Sequence, residues 1–508
     1  IIRTMIAVSL HNTLSGQKER LKPSADGLLR VYCCGPTVYA AAHIGNFRSF
    51  LLQDVLRRVL ERSGYRVRWV RNLTDVDDKT IRGARQQGIL LREFTDHWIQ
   101  VFREDCQKLR MLPPDLEPRA TEHIHEQIHW IQRLIGAGFA YPDTGGSIYY
   151  RLSSFPSYGR LSRLPAEGLM AKTGARPSSD ADEYDGDSVH DFVLWKARKE
   201  EDGDCHWESP WGPGRPGWHI ECSVMAMHYL GETLDLHGGG VDLCFPHHEN
   251  EIAQAEALTG KCFARHWFHC AHLLVDGKKM SKSLGNCHTL QDLLDKSHDP
   301  MAVRYALIAG HYRQPLNFSF QSLSMAERAL QKLARAREQL QNLAGENVSP
   351  KSGSPDSREP KPSAPKFPAS PKSESPAEDG SLFSEAWKAL RDDLNIPRCL
   401  GSIFSILASP AFGRLSPAEA RAGLRGLEDI VLGALGLTLP ATRADGPAEI
   451  AVPEEVRELA ERRQKVREEG NFAEADRLRE RIQTLGWRPI DRDGHFELKR
   501  MGPSGRKE

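Results

Sequence analysis

The apolar residues near the N-terminus follow a strand pattern, then a helix pattern, then a strand pattern again. Residues 28–34 form a short apolar run rich in β-branched and aromatic residues, which predicts a buried strand. After His43, apolar residues recur at steps of three and four as far as Gly64, which predicts a helix. Residues 66–72 predict a second strand. This order forms a βαβ unit, so we expect a doubly wound, Rossmann-like α/β domain with a parallel sheet.

The carboxyl ends of the two predicted strands carry residues that suit a binding site. Cys34 ends the first strand, and Thr74 follows the second. Ligands of open parallel sheets bind beyond the carboxyl ends of the strands. We therefore expect the ligand site of this domain to include these two positions.

Composition shifts along the chain indicate several domains. Residues 136–215 are rich in Gly, Pro and Ser and lack clear helical periodicity, whereas residues 347–380 are rich in Ser, Pro and Lys with almost no apolar side chains, which predicts disorder. Two charged helices and a hairpin turn at Asp493-Gly494 are expected near the C-terminus. We predict two halves of the α/β domain (1–135 and 216–275) with an insertion between them (136–215). A loop region (276–322), a helical bundle (323–440) and a terminal helical module (441–508) follow.

Composition excludes some classes of protein without naming a function. The chain has 508 residues, of which 40% are hydrophobic and 27% charged, and its formal net charge is zero. These values are typical of a folded protein of several domains and give no global attraction for nucleic acid. No apolar run is long enough to cross a bilayer, so we expect no membrane association. The ten scattered cysteines favour a reducing compartment, which predicts a cytoplasmic protein with free thiols.

Two short motifs suit the handling of phosphates. The tetrad HIGN, from His43 to Asn46, lies at a strand-to-helix junction, where backbone N–H groups favour an anion. The pentad KMSKS, with Lys279 and Lys282, suits a loop that folds over phosphates. Taken singly, the first is more simply a helix cap with an incidental histidine, and the second a solvated basic loop. Together they predict activation of an acid by ATP.

Longer blocks resemble one family. The two motifs resemble the signatures of class I aminoacyl-tRNA synthetases, and further blocks resemble cysteinyl-tRNA synthetases. These blocks are YCCGPTVY from Tyr32, NLTDVDDKTI from Asn72, RPGWHIECS from Arg215, LHGGGVDLCFPHHENEIAQ from Leu236, and VDGKKMSKSLGN from Val275. The resemblance implies that L-cysteine and MgATP form cysteinyl-adenylate and pyrophosphate, and that the cysteinyl group then moves to tRNA(Cys). It also implies a stem-contact region in 276–322, an anticodon-binding module in 441–508, and a monomer.

The resemblance assigns roles in ATP activation residue by residue. His43 donates to the phosphate in the transition state, and Lys279 and Lys282 hold the pyrophosphate. Asn46 stands where the family most often has histidine; its amide can donate a hydrogen bond but cannot become cationic. The backbone of three consecutive glycines is expected against ATP: Gly238, Gly239 and Gly240.

A zinc site is the most informative implication of the resemblance. From the residues alone, His247 and Glu251 are four apart and share a helix face, while buried cysteines are usually core. The resemblance adds Cys34 and Cys222 to these two as Zn²⁺ ligands. It also implies that the substrate thiol joins the metal. A soft metal separates cysteine from serine better than an apolar pocket can. Cys33 points to the other face of a regular strand and is left out.

Further residues carry weaker predictions. For the substrate cysteine they are Gly35, Thr74, Trp218, Asp242 and His247. Thr74 and Asp242 equally suit turn hydrogen bonds, Trp218 equally suits the core, and His219 and His248 add donors near the phosphates or are structural. On a charged C-terminal helix, Phe472 and Asp476 lie one turn apart, and the resemblance implies that they read the anticodon; an ordinary helix surface fits as well.

Two other functions remain open from the sequence. One is a ligase that uses the same core to join cysteine to an amino sugar, although such ligases lack the long helical region that follows KMSKS here. The other is a catalytically inactive, tRNA-binding relative, although every expected catalytic position except Asn46 matches.

Overall fold

The computed structural model describes residues 5–163, 191–280, 285–346, 381–442, 454–469, 471–492 and 495–500. The chain forms two compact units, Ile1–Pro440 and Ala441–Glu508. The segment 347–380, Lys282 and the turn Asp493-Gly494, about which the sequence made predictions, lie outside the described residues. The strands in the described part of the chain are β1 (Ser9–Asn12), β2 (Gln17–Arg20), β3 (Leu28–Cys33), β4 (Arg66–Arg71), β5 (Ala140–Pro142), β6 (Ile148–Tyr150), β7 (Phe192–Ala197), β8 (Gly214–Pro216), β9 (Leu236–Gly240), β10 (Trp267–Cys270), β11 (Leu273–Val275), β12 (Lys278–Lys279), β13 (Leu316–Phe318), β14 (Trp487–Arg492) and β15 (His495–Arg500).

Helices surround these strands, and none of the described helices combines the length and the apolar content that a membrane crossing requires. The described helices of eight or more residues are α1 (Ile44–Arg62), α2 (Asp78–Gln87), α3 (Leu91–Lys108), α4 (Ile124–Gly136), α5 (Trp218–Leu230), α6 (Glu249–Thr259), α7 (Pro300–Ile308), α8 (Phe320–Ala344), α9 (Ser384–Arg391), α10 (Ile396–Ala408), α11 (Pro417–Glu428), α12 (Glu454–Glu468) and α13 (Phe472–Thr484).

A four-stranded sheet lies at the centre of the larger unit. Its strand order is β10-β9-β3-β4, and all three pairings are parallel. This confirms the predicted doubly wound α/β class, because β3 and β4 are the expected pair joined through α1. From β3 the chain continues to β4 on one side of it, and later to β9 on its other side. The crevice beyond β3 and β9 is therefore a topological switch point, where ligands of such sheets bind.

Helix α1 runs through the interior and is covered on nearly every side. Apolar residues such as Phe47, Leu51 and Val55 are fully buried, and so is the charged side chain of Asp54. A helix that is buried all round needs partners for its polar side chains. The predicted end at Gly64 is nearly correct, since Ser63 is the C-cap and the left-handed φ of 90° at Gly64 turns the chain into β4.

The partners of Asp54 tie α1 to distant elements. Its Oδ2 is 2.8 Å from Arg58 Nε and 2.5 Å from Arg304 Nη2, while its Oδ1 accepts from the backbone N–H of Leu112 at 2.7 Å. Arg304, on α7, also donates to the carbonyl of Leu435 in the helical region. Burial opposes the charge of Asp54, but the two guanidinium groups outweigh it and lower the pKa of this carboxyl. The buried ion pair of Asp54 and Arg304 thus holds α1 against α7, and the bond from Arg304 to Leu435 ties both to the helical region.

The segment predicted as an insertion holds a second sheet. Strands β5 to β8 pair antiparallel in sequence order, with an irregularity between Ile148 and Tyr149. Aromatic side chains fill its core; the rings of Tyr150 and Phe192 are stacked with centroids 4.8 Å apart. The sheet leads through β8 directly into α5, so it controls where that helix begins.

The helical region extends further than its sequence pattern suggested. The sequence predicts a helix over 324–343, whereas α8 begins at Phe320, because Ser319 and Ser322 cap its first turn reciprocally. In the smaller unit, α12 and α13 are followed by the antiparallel hairpin of β14 and β15. Its core includes Val456, Ile482 and Trp487. The division of the chain into six segments stays a prediction.

Candidate functional site

A buried cluster of sulfur, imidazole and carboxylate groups lies at the switch point of the parallel sheet. Cys34 directly follows β3, Cys222 lies in the second turn of α5, and Glu251 lies in the first turn of α6. With His247, their potential ligand atoms all lie within 4.8 Å of one another, and all four side chains are buried. These residues lie up to 217 positions apart in the sequence, and the fold brings them together.

The distances within this cluster are those of groups that share one centre. The Cys34 and Cys222 Sγ atoms are 3.8 Å apart, and Cys34 Sγ is 3.6 Å from Glu251 Oε1. His247 Nε2 lies 3.1 Å from the same Oε1. His247 lies in the π-helical turn Cys244–His248, which leads directly into α6 and whose non-helical residue, Phe245, precedes His247. The kink thus lies before both ligands, and their side chains, four residues apart, are in contact.

The electrostatics of the cluster favour charged ligands. A hydrogen bond from the Cys34 thiol lowers the pKa of Cys222 to about 6, whereas burial raises the pKa of Cys34. Burial opposes ionisation of Glu251 too, but attraction to His237 and His247 lowers its pKa to about 2. Burial also disfavours a charged His247, yet the Cys222 thiolate and Glu251 raise its pKa to about 10. The protein thus holds two anionic groups in a site from which water is largely excluded.

A second layer of histidines, which the sequence reasoning assigned only in part, surrounds the cluster. His237 Nε2 is 2.8 Å from Glu251 Oε2, and the His237 ring stacks on Trp267 with centroids 4.6 Å apart. His248 Nε2 is 3.4 Å from Cys34 Sγ, and its Nδ1 is 2.7 Å from His269 Nε2. Together with Cys34 and Glu251, His237 and His248 form an alternative ligand set. Little in the sequence points to His237, because it lies in a strand.

Cys33 and Cys34 are neighbours in the chain but belong to different apolar clusters. Cys34 packs with Cys222, whereas Cys33 packs in the cluster that contains α1. This confirms the expectation that Cys33 points to the other face of β3.

Protein contacts account for several glycines that were expected to meet ligands. A Cβ at Gly35 would lie 1.8 Å from the carbonyl oxygen of Asn72, so glycine is required there by the neighbouring chain. A Cβ at Gly238 would meet Cys33 Sγ at 3.3 Å, and one at Gly239 would meet His248 Cε1 at 2.8 Å. At Gly240 the obstacle is the side chain of Asp242. The glycines at 238 and 239 keep β9 close to its neighbour in the sheet and to the histidine layer.

Thr74 contacts a buried carboxyl group that the sequence reasoning missed. Its Oγ1 is 3.1 Å from Glu221 Oε2, and its backbone N–H donates to the carbonyl of Pro36. Burial and the neighbouring Cys222 raise the pKa of Glu221 well above its usual range. This glutamate lies in the motif RPGWHIECS, but only the fold places it beside Thr74.

Trp218 contacts the cluster, whereas Asp242 is exposed to solvent. The Trp218 ring, which is partly exposed, stacks on the His247 ring with centroids 4.3 Å apart. His247 Nδ1 is also 3.1 Å from His219 Nδ1, so two neighbours orient this imidazole. Asp242 lies in the short helix Val241–Leu243 that follows β9 and is exposed. Trp218 therefore forms part of the wall of the site instead of the deep core.

The two phosphate motifs meet in the fold. His43 is the N-cap of α1: its Nδ1 accepts from the backbone N–H of Asn46, and Asn46 Oδ1 accepts from the backbone N–H of His43. The methyl end of Met280 in KMSKS lies against Gly45, where a Cβ would come within 2.7 Å of it. The N–H of Ile44 donates to the carbonyl of His288, just after the loop. Lys279 is exposed in β12.

In the smaller unit, the two residues expected to read an anticodon are accessible. Phe472 begins α13 and is 65% exposed, an unusual setting for a large aromatic side chain. Asp476 is exposed one turn later. Both lie on one helix face, as the sequence spacing predicts.

Comparison with known proteins decides the family. Residues 20–328 match the family model described as tRNA synthetases class I (C) catalytic domain. A cysteine–tRNA ligase of Opitutus terrae is 46% identical over 500 residues, which are 97% of this chain and 99% of the relative. One of Chlamydia muridarum is 42% identical over 511 residues, with the same shares covered. The chain belongs to the cysteine–tRNA ligase family.

The solved structures agree at the level of the fold. The structure of Mycobacterium tuberculosis methionyl-tRNA synthetase in complex with methionyl-adenylate superposes with a TM-score of 0.56, covering 80% of this chain and 89% of the other. The two sequences are 16% identical, so this likeness shows the shared class I fold alone.

The donors of this cysteine–tRNA ligase relative fit a zinc ion. Two sulfurs, an imidazole and a carboxylate are ligand types that Zn²⁺ prefers. Two of these donors have a further side-chain contact: His219 contacts the imidazole of His247, and His237 contacts the carboxylate of Glu251. Such outer contacts are usual for metal ligands because they fix the orientation of each donor. The cluster is thus a Cys/His/Glu site suited to zinc.

Proposed function

We propose that the protein is a cysteine–tRNA ligase that activates L-cysteine with MgATP and transfers the cysteinyl group to the 3′ end of tRNA(Cys). The observation that carries this proposal is the Cys34, Cys222, His247 and Glu251 cluster at the switch point of a class I fold. Among the amino acids that such enzymes activate, cysteine is the one whose side chain best matches a site built from sulfur and soft-metal ligands.

In the first step, a carboxylate oxygen of cysteine attacks the α-phosphorus of ATP, and pyrophosphate leaves. Because the nucleophile belongs to the substrate, the task of the protein is to position the reactants and stabilise charge. His43 accepts at Nδ1 from the first turn of α1, so the neutral ring carries its proton on Nε2. This proton, together with the N-terminus of α1, faces the phosphate. Lys279 and Lys282 hold the pyrophosphate, and the backbone of Gly238–Gly240 borders ATP.

The substrate side chain enters the buried cluster. Cys34, Cys222, His247 and Glu251 would hold Zn²⁺, which when bound accepts the substrate thiolate as a ligand and so rejects serine. Trp218 closes one side of this pocket through its stack on His247. The Thr74 hydroxyl, fixed by Glu221, and the Asp242 carboxylate receive the α-amino group, and the backbone at Gly35 approaches the substrate.

In the second step, a hydroxyl of the terminal adenosine attacks the activated carbonyl, and AMP leaves. Recognition of tRNA(Cys) requires a second, distant surface. The exposed Phe472 stacks on an unstacked anticodon base, and the exposed Asp476 accepts from a base edge. We also propose that the enzyme acts as a monomer in the cytoplasm. Light scattering of the purified protein measures its oligomeric state.

One assay pair separates this function from its alternatives. Cysteine-dependent exchange of pyrophosphate into ATP measures the first step, and transfer to tRNA(Cys) or to an amino sugar measures the second. Exchange with transfer to tRNA supports the proposal. Exchange with transfer only to the sugar would show the other ligase, and tRNA binding without exchange would show an inactive relative. Serine in place of cysteine is the control for specificity.

A further inference from the structure

A second cluster of metal-ligand residues lies outside the catalytic crevice. His123 ends a short 3-10 turn, Glu126 lies in the first turn of α4, and His228 lies in the last turn of α5. One potential ligand atom of each lies within 4.8 Å of those of the others. The cluster thus joins α4 to the helix that carries Cys222.

His123 presents a buried nitrogen toward this cluster. The residue is 5% exposed, and its Nδ1 has no hydrogen-bond partner among the described residues. This Nδ1 is 3.7 Å from Glu126 Oε1, too far for a hydrogen bond. A buried polar atom without a partner is costly unless something else satisfies it. A cation between the imidazole and the carboxylate would do so.

The other nitrogen of His123 is arranged as in a metal-binding histidine. Nε2 lies 3.0 Å from the Tyr229 hydroxyl, and the two rings meet edge-on with centroids 5.4 Å apart. When Nε2–H donates to this hydroxyl, Nδ1 carries a lone pair that is directed away from Tyr229. Ligating histidines commonly bond their second nitrogen in this way, which fixes the tautomer and the ring orientation.

His228 completes the set from the solvent side. Its ring centroid is 5.2 Å from that of His123, and it is exposed, so an ion can enter. A tetrahedral Zn²⁺ with bonds of about 2.1 Å places its donors about 3.4 Å apart. The distance of 3.7 Å between His123 Nδ1 and Glu126 Oε1 is already close to that value. A side-chain movement of His228 brings its nitrogen to the ion.

We propose that His123, Glu126 and His228 form a second site for a divalent transition metal, of the Zn²⁺ class. Two imidazoles and one carboxylate suit Zn²⁺, Co²⁺ and Ni²⁺ and disfavour Mg²⁺ and Ca²⁺, which require oxygen ligands. Water fills the remaining positions. His228 lies six residues after Cys222, so the two clusters lie about 120° apart around α5. An ion at the second site restrains the helix that positions Cys222.

Metal analysis of the full-length protein tests the proposal. The protein is equilibrated with Zn²⁺, freed of unbound ion by gel filtration, and analysed by mass spectrometry for zinc per chain. We expect His228→Ala and Glu126→Gln each to bind one zinc ion fewer than the wild type. His125→Ala, which removes an exposed histidine of the same helix outside the cluster, is the matched control and should bind as much as the wild type.

Cobalt substitution distinguishes the two sites by their ligands. Co²⁺ bound to cysteine thiolates gives strong charge-transfer absorption, whereas Co²⁺ bound to imidazole and carboxylate gives none. Titration of the wild type should therefore show further Co²⁺ uptake after the thiolate band is complete, and His228→Ala should lack this uptake. Tyr229→Phe should weaken it by roughly 10–100-fold, because the tautomer of His123 is no longer fixed. Equal zinc and cobalt uptake by the wild type and His228→Ala would overturn the proposal and leave a loose His123–Glu126 ion pair.

Discussion

Asn46 holds His43 in place: each residue accepts a hydrogen bond from the other's backbone N–H, and both donor–acceptor distances are 3.2 Å. The arrangement is a capping box at the start of α1 with an imidazole in the position usually taken by a hydroxyl or carboxylate. Asn46 thus has a structural role at the start of α1. The asparagine side chain supplies a short acceptor for the backbone N–H of His43, while the backbone N–H of Asn46 holds the imidazole.

Removal of this acceptor should slow adenylate formation more than it weakens substrate binding. Asn46→Ala leaves the backbone N–H of His43 without its acceptor and loosens the backbone that carries the imidazole, although Nδ1 keeps the backbone N–H of residue 46 as its donor. We expect kcat for ATP–pyrophosphate exchange to fall by roughly tenfold or more, with a smaller change in KM, since loss of positioning acts mainly on the transition state. The helix cap contributes about 0.5–2 kcal/mol to stability, which urea unfolding measures.

Asn46→Asp separates the two roles of this position. The carboxylate keeps the acceptor for His43 and suits the N-terminus of a helix, so stability should stay at or above that of the wild type. The negative charge opposes the phosphate, so exchange should fall as strongly as in Asn46→Ala. If Asn46→Asp were fully active, position 46 would lie away from the phosphate.

The buried pair of Asp54 and Arg304 should be one of the most sensitive points of the fold. Asp54→Asn leaves two guanidinium groups buried without their counter-charge, which costs about 3–5 kcal/mol. Urea unfolding measures the loss. Asp26→Asn, which breaks the solvent-exposed pair with Arg30, is the control and should change the midpoint little. Equal midpoints for the two variants would contradict this account.

The same pair predicts a pH dependence of stability. The pKa of Asp54 is lowered from its ordinary value of 3.8, so the folded state favours the ionised form. Its contribution is complete above that value and is lost as the pH falls through the lower pKa of the folded state. Stability measured between about pH 5 and about pH 3 should therefore fall less steeply in Asp54→Asn than in the wild type.

His237 should control metal retention without being one of the four expected ligands. His237→Phe keeps a ring against Trp267 but loses the 2.8 Å contact between Nε2 and Glu251 Oε2. We expect the affinity for zinc to fall by roughly 10–100-fold, as for other outer partners of metal ligands. Competition with a chelator measures it, and the exposed His272→Phe is the control. A value equal to the wild type would assign His237 to packing alone.

Phe472 should affect only the step that uses tRNA. Because Phe472 is 65% exposed, Phe472→Ala should leave stability and ATP–pyrophosphate exchange unchanged. Stacking on a base contributes about 1–3 kcal/mol, so charging of tRNA(Cys) should lose the corresponding efficiency, mostly through KM. Glu480→Gln, at an exposed position of the same helix, is the control. Normal charging by Phe472→Ala would remove this residue from recognition.

The parts of the fold that follow local patterns could be predicted from the sequence. The strand–helix–strand unit of β3, α1 and β4 was correct to within one or two residues, because alternation of apolar runs and helical spacing is a local property. Spacing pointed only to the pair His247 and Glu251, whereas Cys34, Cys222 and the metal came from a resemblance. The approach of the four residues to one another depends on the register of strands far apart in the chain.

The remainder of the site depends on contacts that no local pattern contains. His237 occupies an ordinary position in a strand, and only the fold brings it into contact with the carboxylate of Glu251. Gly35 is explained by the carbonyl of Asn72, which belongs to another strand end. A helix cap at HIGN was one of the two interpretations that the sequence left open, but its reciprocal form, in which His43 and Asn46 each accept from the other's backbone N–H, is seen only in the fold.

Aminoacylation of tRNA(Cys) tests the central claim most directly. The purified protein is incubated with ATP, labelled cysteine and a tRNA(Cys) transcript, and the ester-linked cysteinyl-tRNA is separated from free cysteine. We predict ATP-dependent formation of cysteinyl-tRNA(Cys), none with serine, and loss of the product in Cys222→Ser. No cysteinyl-tRNA from the wild-type protein with MgATP and zinc present would contradict the account.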